Sequence, residues 1–213
     1  RLAARARRLV ERVETVPGVI CERISKPLRA VGLYVPAGTA PLPSTAIMLA
    51  VPAAIAGCPV RVMCTPPRPD GRADPAVVTA ATACGIRTIY KAGGAQAIAA
   101  MAYGTATVPK VLKIFGPGNA WVTAAKTLVA ADPDGAALDM PAGPSEVMVI
   151  ADAEANPRFV ALDLLSQAEH GPDSHAVLVC TDRALVAAVE VEIDRALPGL
   201  PRRDTIRKAL GHA

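Results

Sequence analysis

The chain has 213 residues, 52% hydrophobic and 20% charged, a balance that supports a sizeable core and excludes wholesale disorder. Aromatics are only 3%, so the core must be built from Ala, Val, Leu and Ile. Lys and Arg total 23 against 19 Asp and Glu; this excess of +4 gathers at the ends (Arg1, Arg5, Arg7 and Arg8; Arg202, Arg203, Arg207 and Lys208), is too small to imply nucleic acid, and reads as a solvated helix face.

Residues 1–14 read as a basic amphipathic helix ending near Pro17-Gly18. Its Arg-rich opening does not resemble a signal peptide. Strands are expected at 19–25 and 31–35. Ser44 is a plausible N-cap for a helix through Ala56, kinked by Pro52 and stopped by Gly57. The stretch from Ala30 to Val60 is free of charge, but five prolines interrupt it, and its unbroken apolar part falls far short of the ~20 residues a membrane span needs. A strand at 60–65 leads into a polar, Pro-rich surface loop, Pro66 to Ala73. Asp74-Pro75 caps a helix closed by Gly85. Then come a strand at 86–90, a helix from Gly94 to Tyr103, a strand at 111–115 ending at Gly116, and a helix from Asn119 to Ala131. The weak seam of the chain lies around Pro133 to Gly143.

The alternation restarts beyond the seam, with a strand at 146–151 and a helix capped by Asn156-Pro157 that ends at His170-Gly171-Pro172. A strand at 175–180, a helix from Asp182 to Leu197 and a last helix from Arg202 follow. Strands alternating with helices imply parallel sheets, so the expected fold is α/β with two Rossmann-like parallel-sheet units, one centred on 31–144 and one starting at Ser145. The five cysteines (Cys21, Cys58, Cys64, Cys84, Cys180) are scattered, odd in number and without a CxxC pair. They fit a reducing cytosolic setting and buried small hydrophobes better than a disulfide framework.

In α/β sheets ligands bind where strands end and helices begin. Three Gly-rich turns occupy such points: Tyr34-Val-Pro-Ala-Gly-Thr-Ala-Pro, Gly93-Gly-Ala-Gln-Ala and Gly116-Pro-Gly-Asn-Ala. Small residues let a ligand approach the backbone, and Gln96 and Asn119 place amides able to bond a ribose or nicotinamide. There is no GxGxxG fingerprint, and ordinary tight turns explain the pattern equally well. Gln167 and His170 stand three apart on one helix, a reasonable half of a zinc site. The competing reading has the His170 imidazole meeting the last carbonyls of its helix. His175 and His212 read as structural, and Ser145 reads as a polar substrate contact rather than a nucleophile, because no base lies near it in sequence and no nucleophile elbow surrounds it.

The run Leu138-Asp-Met-Pro-Ala-Gly-Pro-Ser-Glu-Val-Met-Val-Ile-Ala-Asp, continued by Asp163-Leu-Leu-Ser-Gln-Ala-Glu-His-Gly-Pro-Asp-Ser, closely resembles the signature of histidinol dehydrogenase. So do Val31-Gly-Leu-Tyr-Val-Pro-Ala-Gly-Thr-Ala-Pro-Leu, Gly93-Gly-Ala-Gln-Ala-Ile-Ala-Ala and Lys113-Ile-Phe-Gly-Pro-Gly-Asn-Ala. The resemblance implies NAD-dependent, zinc-dependent oxidation of L-histidinol to L-histidine through the aldehyde, at the end of histidine biosynthesis, by a cytoplasmic homodimer. It implies NAD contacts at Tyr34, Gln96 and Asn119, substrate contacts at Ser145, Gln167 and His170, and zinc ligands at Gln167 and His170. Residues 1–33 would be part of a first α/β domain, 34–144 a Rossmann-like NAD-binding domain, and 145–213 a return to the first domain, with no role for nucleic acid or a membrane.

The sequence also departs from the family pattern. Ala37 stands where glycine is usual, and the loop from Pro66 to Ala73 looks long. Family enzymes are expected to be about twice this length. Their Glu-His base pair and their remaining zinc ligands, an Asp and a His, are expected beyond Ala213, so no catalytic base is assigned within this chain and the chain alone is expected to be inactive. A non-catalytic nucleotide-binding module and a relative oxidising another small alcohol are the competing readings.

Overall fold

The computed structural model describes residues 11–37, 41–141 and 146–211. The chain divides into two compact units, Arg1–Ala142 and Gly143–Ala213.

The first unit opens with an antiparallel hairpin of β1 (Glu11–Val16) and β2 (Val19–Arg23), in which Val13 faces Cys21 and Val16 faces Val19. The helix expected over residues 1–14 is therefore wrong for residues 11–14, and residues 1–10 lie outside the described residues. The reason is local: Val13, Thr15 and Val16 are β-branched, and Pro17-Gly18 makes a two-residue connection. Gly18 turns at φ 83°, and its N–H donates to the Glu14 carboxylate at 2.7 Å.

A five-stranded parallel sheet follows. Its strands are β3 (Ala30–Tyr34), β4 (Val60–Cys64), β5 (Ile89–Tyr90), β6 (Lys113–Phe115) and β7 (Ala137–Leu138), in the spatial order β5-β4-β3-β6-β7. The chain steps outward from β3 to β4 and β5, then returns to the other side of β3 for β6 and β7. Between the carboxyl ends of β3 and β6 the direction of winding reverses, which is where open α/β sheets take their ligands. β5 and β6 are shorter than expected. The Ile86 N–H caps the preceding helix at the Ala81 carbonyl, and the Val111 N–H bonds the Met101 carbonyl, so neither residue extends its strand. β7 lies inside the expected seam.

Four helices cover this sheet: α1 (Pro43–Ile55), α2 (Pro75–Ala83), α3 (Gly94–Tyr103) and α4 (Ala120–Ala131). Alternate residues of β3 serve opposite faces. Val31 and Leu33 pack with Ala46, Ala50, Val77 and Ala81 of α1 and α2. Tyr34 packs with Ile98, Met101 and Val122 of α3 and α4. With both faces covered, the strands read as nearly continuous apolar runs, as parallel strands do. Asp74 caps α2 by accepting from the Ala76 N–H at 2.9 Å. Ser44 is not the cap of α1: Leu42 is the N-cap without a side-chain bond, and Pro43 takes the first helical position, where its missing N–H costs nothing. Pro52 lies inside that helix and Gly57 turns at φ 81° just past its end, both as expected.

In the second unit β8 (Glu146–Ala151) and β9 (His175–Cys180) run parallel, with α5 (Pro157–Ala168), α6 (Arg183–Ala196), a short 3-10 turn (Leu197–Gly199) and α7 (Arg203–Leu210). Asn156 accepts from the Arg158 N–H and Asp182 from the Ala184 N–H, fixing the starts of α5 and α6. Val160, Ala161, Leu164, Leu185 and Val189 form the core beneath Ala151 and Ala176. Among the described residues no helix is long and apolar enough to cross a membrane.

Candidate dinucleotide and zinc sites

Tyr34 ends β3 with its side chain buried in the layer of α3 and α4. Its hydroxyl oxygen accepts from the Gly94 N–H at 3.0 Å, so the phenol grips the first residue of α3. Burial pushes the Tyr34 pKa up, the Gly94 bond offsets part of that, and nearby Cys64 adds to the rise. The phenol therefore stays protonated at neutral pH and keeps its own hydrogen to donate. Cys64 lies beside it, and burial pushes its thiol up to about 12, which removes it as a nucleophile.

Gln96, exposed in the first turn of α3, folds its carboxamide back over the helix start. Its Oε1 lies 2.9 Å from where a Cβ on Gly94 would stand. Asn119 is the N-cap of α4, its Oδ1 accepting from the Val122 N–H at 3.1 Å. With that oxygen committed to the helix, the amide NH2 is the group to offer a ligand. The turn before it is forced close to Tyr34: Gly116 adopts φ 128°, and a Cβ there would meet the Tyr34 carbonyl oxygen at 2.1 Å. Glycine is obligatory at that point. The Tyr34 main chain and side chain thus touch both other Gly-rich turns, at the reversal of winding. Ala37 does not strain the first turn, since no described residue other than glycine has positive φ.

Sequence reasoning missed what holds the Gly116 turn. Lys126, buried on α4, donates to the Gly116 carbonyl at 2.9 Å and pairs with the Asp139 carboxylate. Asp139 in turn accepts from the Gly116 N–H at 2.9 Å. Partial burial works to raise the Asp139 pKa, but Lys126 and the N–H groups of Gly116 and Met140 outweigh it and hold the carboxyl below its ordinary value. The pair left a signal in the sequence: Lys126 falls on the inward stripe of α4 with Val122 and Val129, spaced i, i+4, i+7.

In the second unit, α5 ends at Ala168, so Gln167 and His170 do not share one helix as expected. His170 stands in the turn past the C-cap, its N–H bonded to the Gln167 carbonyl at 3.1 Å, which still keeps the two residues adjacent. The His170 Nδ1 meets the Ser166 carbonyl at 2.9 Å. That contact is the helix-end role weighed above, and it also fixes the tautomer that leaves Nε2 a lone pair, as in metal-ligating histidines. The buried end of the Gln167 amide, assigned as Nε2, has no hydrogen-bond partner. Exchanging the amide's N and O places an unpartnered acceptor there. An imidazole nitrogen and an amide oxygen are each donor types that zinc can take. Among the described residues no group of three or more His, Cys, Asp or Glu converges to hold a metal. His175 opens β9 opposite Glu146 and is exposed. Ser145 and His212 lie outside the described residues.

The family model described as histidinol dehydrogenase matches residues 2–213. A histidinol dehydrogenase of Xanthomonas campestris pv. campestris is 61% identical over 201 residues, 94% of this chain and 46% of the relative. One of Xylella fastidiosa is 59% identical over 202 residues, 95% of this chain and 47% of the relative. The crystal structure of histidinol dehydrogenase from Elizabethkingia anophelis superposes with a TM-score of 0.91 at 49% identity, covering 98% of this chain and 48% of that chain. The chain spans about half the length of the relatives it matches.

Proposed function

Because this chain belongs to the histidinol dehydrogenase family, we propose that it supplies the NAD site and part of the zinc and substrate site for the oxidation of L-histidinol to L-histidine. The observation that carries the reading is the meeting of Tyr34 with the turns at Gly94 and Gly116 where the sheet reverses its winding. There the Tyr34 hydroxyl and the amides of Gln96 and Asn119 bind and orient the dinucleotide, and the starts of α3 and α4 turn backbone N–H groups toward its phosphates. NAD, when bound, takes up the hydride.

His170 through Nε2 and Gln167 through its amide oxygen hold zinc in this reading, and Ser145 contacts the substrate. Zinc, when bound, would supply a Lewis acid beside His170 and Gln167 to help orient the substrate. Alcohol oxidation must also move the hydroxyl proton to a base, typically worth 10²–10⁴-fold. This reading assigns the family's Glu-His pair to the part of the relatives' length that this chain does not span, and expects no turnover from the 213 residues alone. The whole enzyme works as a cytoplasmic homodimer in the same reading.

The test is a chimaera in which these residues replace the matching stretch of a full-length relative. L-histidinol should then drive NADH formation, and His170→Ala should abolish it while sparing zinc-free NAD binding. A folded chimaera that binds NAD but never oxidises L-histidinol would overturn the substrate assignment.

A further inference from the structure

We infer that Lys126 and Asp139 are positioning residues that clamp Gly116 and thereby set the affinity for the dinucleotide, an inference that rests on the NAD reading above.

Gly116 leaves β6 in a conformation that satisfies neither its N–H nor its C=O through the sheet ladder, yet buried backbone groups must find partners. The pair supplies both: the Lys126 ammonium bonds the carbonyl and the Asp139 carboxylate accepts the N–H. Asp139 is itself anchored, its backbone N–H bonding the Ile114 carbonyl at 3.1 Å beyond the end of β7. One residue is thus held from α4 and from the sheet edge at once. Three residues later Asn119 starts α4, so the clamp sets how its amide and the first N–H groups of that helix face the crevice.

Stability alone does not call for an ion pair at this point. Lys126 is only 2% exposed on a stripe otherwise made of Val122 and Val129. Apolar residues in place of a buried ion pair are often neutral or stabilising. Taking a charge out of water here gains a fixed geometry at Gly116.

The test measures NAD binding to the chain by titration calorimetry beside its thermal unfolding. The variant is Lys126→Met with Asp139→Asn, which leaves neither charge buried alone. The clamp predicts a melt that stays cooperative but shifts down, because the Gly116 carbonyl loses its Lys126 donor, and an NAD dissociation constant raised about tenfold or more. Unchanged affinity in the folded variant overturns the clamp and leaves the NAD reading standing. No NAD binding by the folded, unaltered chain overturns that reading, and the clamp's effect on affinity with it. A readout independent of any variant is amide hydrogen exchange at Gly116 in the unaltered chain: protection at least as strong as at Ile114 supports the clamp, and fast exchange overturns it even if the variant fails to fold.

Discussion

At the scale of single residues, close approach and charge pairing decide the candidate dinucleotide site. Gly116→Ala drives a methyl into the Tyr34 carbonyl and strains the backbone at φ 128°. It should lower the melting temperature and abolish NAD binding together, as calorimetry and thermal unfolding can check. Asp139 carries a pH signature. Its folded pKa lies below the ordinary 3.8, so its contribution to stability is fully present above that value and is lost as pH falls through the folded one. Melting temperature followed below about pH 4 should fall less steeply in Asp139→Asn than in the unaltered chain; parallel curves would remove Asp139 as a source of acid sensitivity. Local rules made the caps Asp74 and Asn156, and helix starts at Asn119 and Asp182, legible in the sequence, because each acts within three residues. Lys126 left its mark on the inward stripe of α4, but its pairing with Asp139 was not legible, because the two meet only once α4 and β7 have docked on β6.

At the scale of elements, the core outweighs the caps. Leu33 sits 1% exposed in the central strand, so Leu33→Ala should cost about 2–5 kcal/mol. Asn156→Ala, which frees the N–H groups of Arg158 and Phe159 at an exposed helix start, should cost about 1 kcal/mol. Chemical denaturation of both variants checks the order; equal losses would mean that the cap is not solvent-compensated. Strongly patterned elements were readable, α3 from Gly94 to Tyr103 and β8 from 146 to 151 among them. Residues 11–14 misled because the arginines before them extend a helical charge pattern into what pairs as β1. β7 escaped because two residues carry no period, and only β6 beside it makes a strand of Ala137–Leu138.

At the scale of the molecule, the two units differ in how their sheets are covered. The five-stranded sheet has helices on both faces. The β8–β9 pair has helices on one face and presents Met148, Ile150, Val177 and Val179 on the other, with Ile150 79% exposed. Parallel sheets are ordinarily buried on both sides, and a contiguous apolar patch seeks cover. The chain should therefore bind a hydrophobic dye and associate with rising concentration, and Met148→Lys with Ile150→Lys should diminish both; a dye-silent, monodisperse chain would show that this face is covered. NAD bound where the sheet reverses its winding would leave its trace in an NAD titration followed on the backbone amides of the folded chain. The largest shifts should fall at Tyr34, at Gly94 to Gln96 and at Gly116 to Trp121, with Trp121 fluorescence changing in step because this tryptophan stands exposed two residues beyond Asn119. Shifts confined to other residues, or none at all while circular dichroism reports a folded chain, would contradict it.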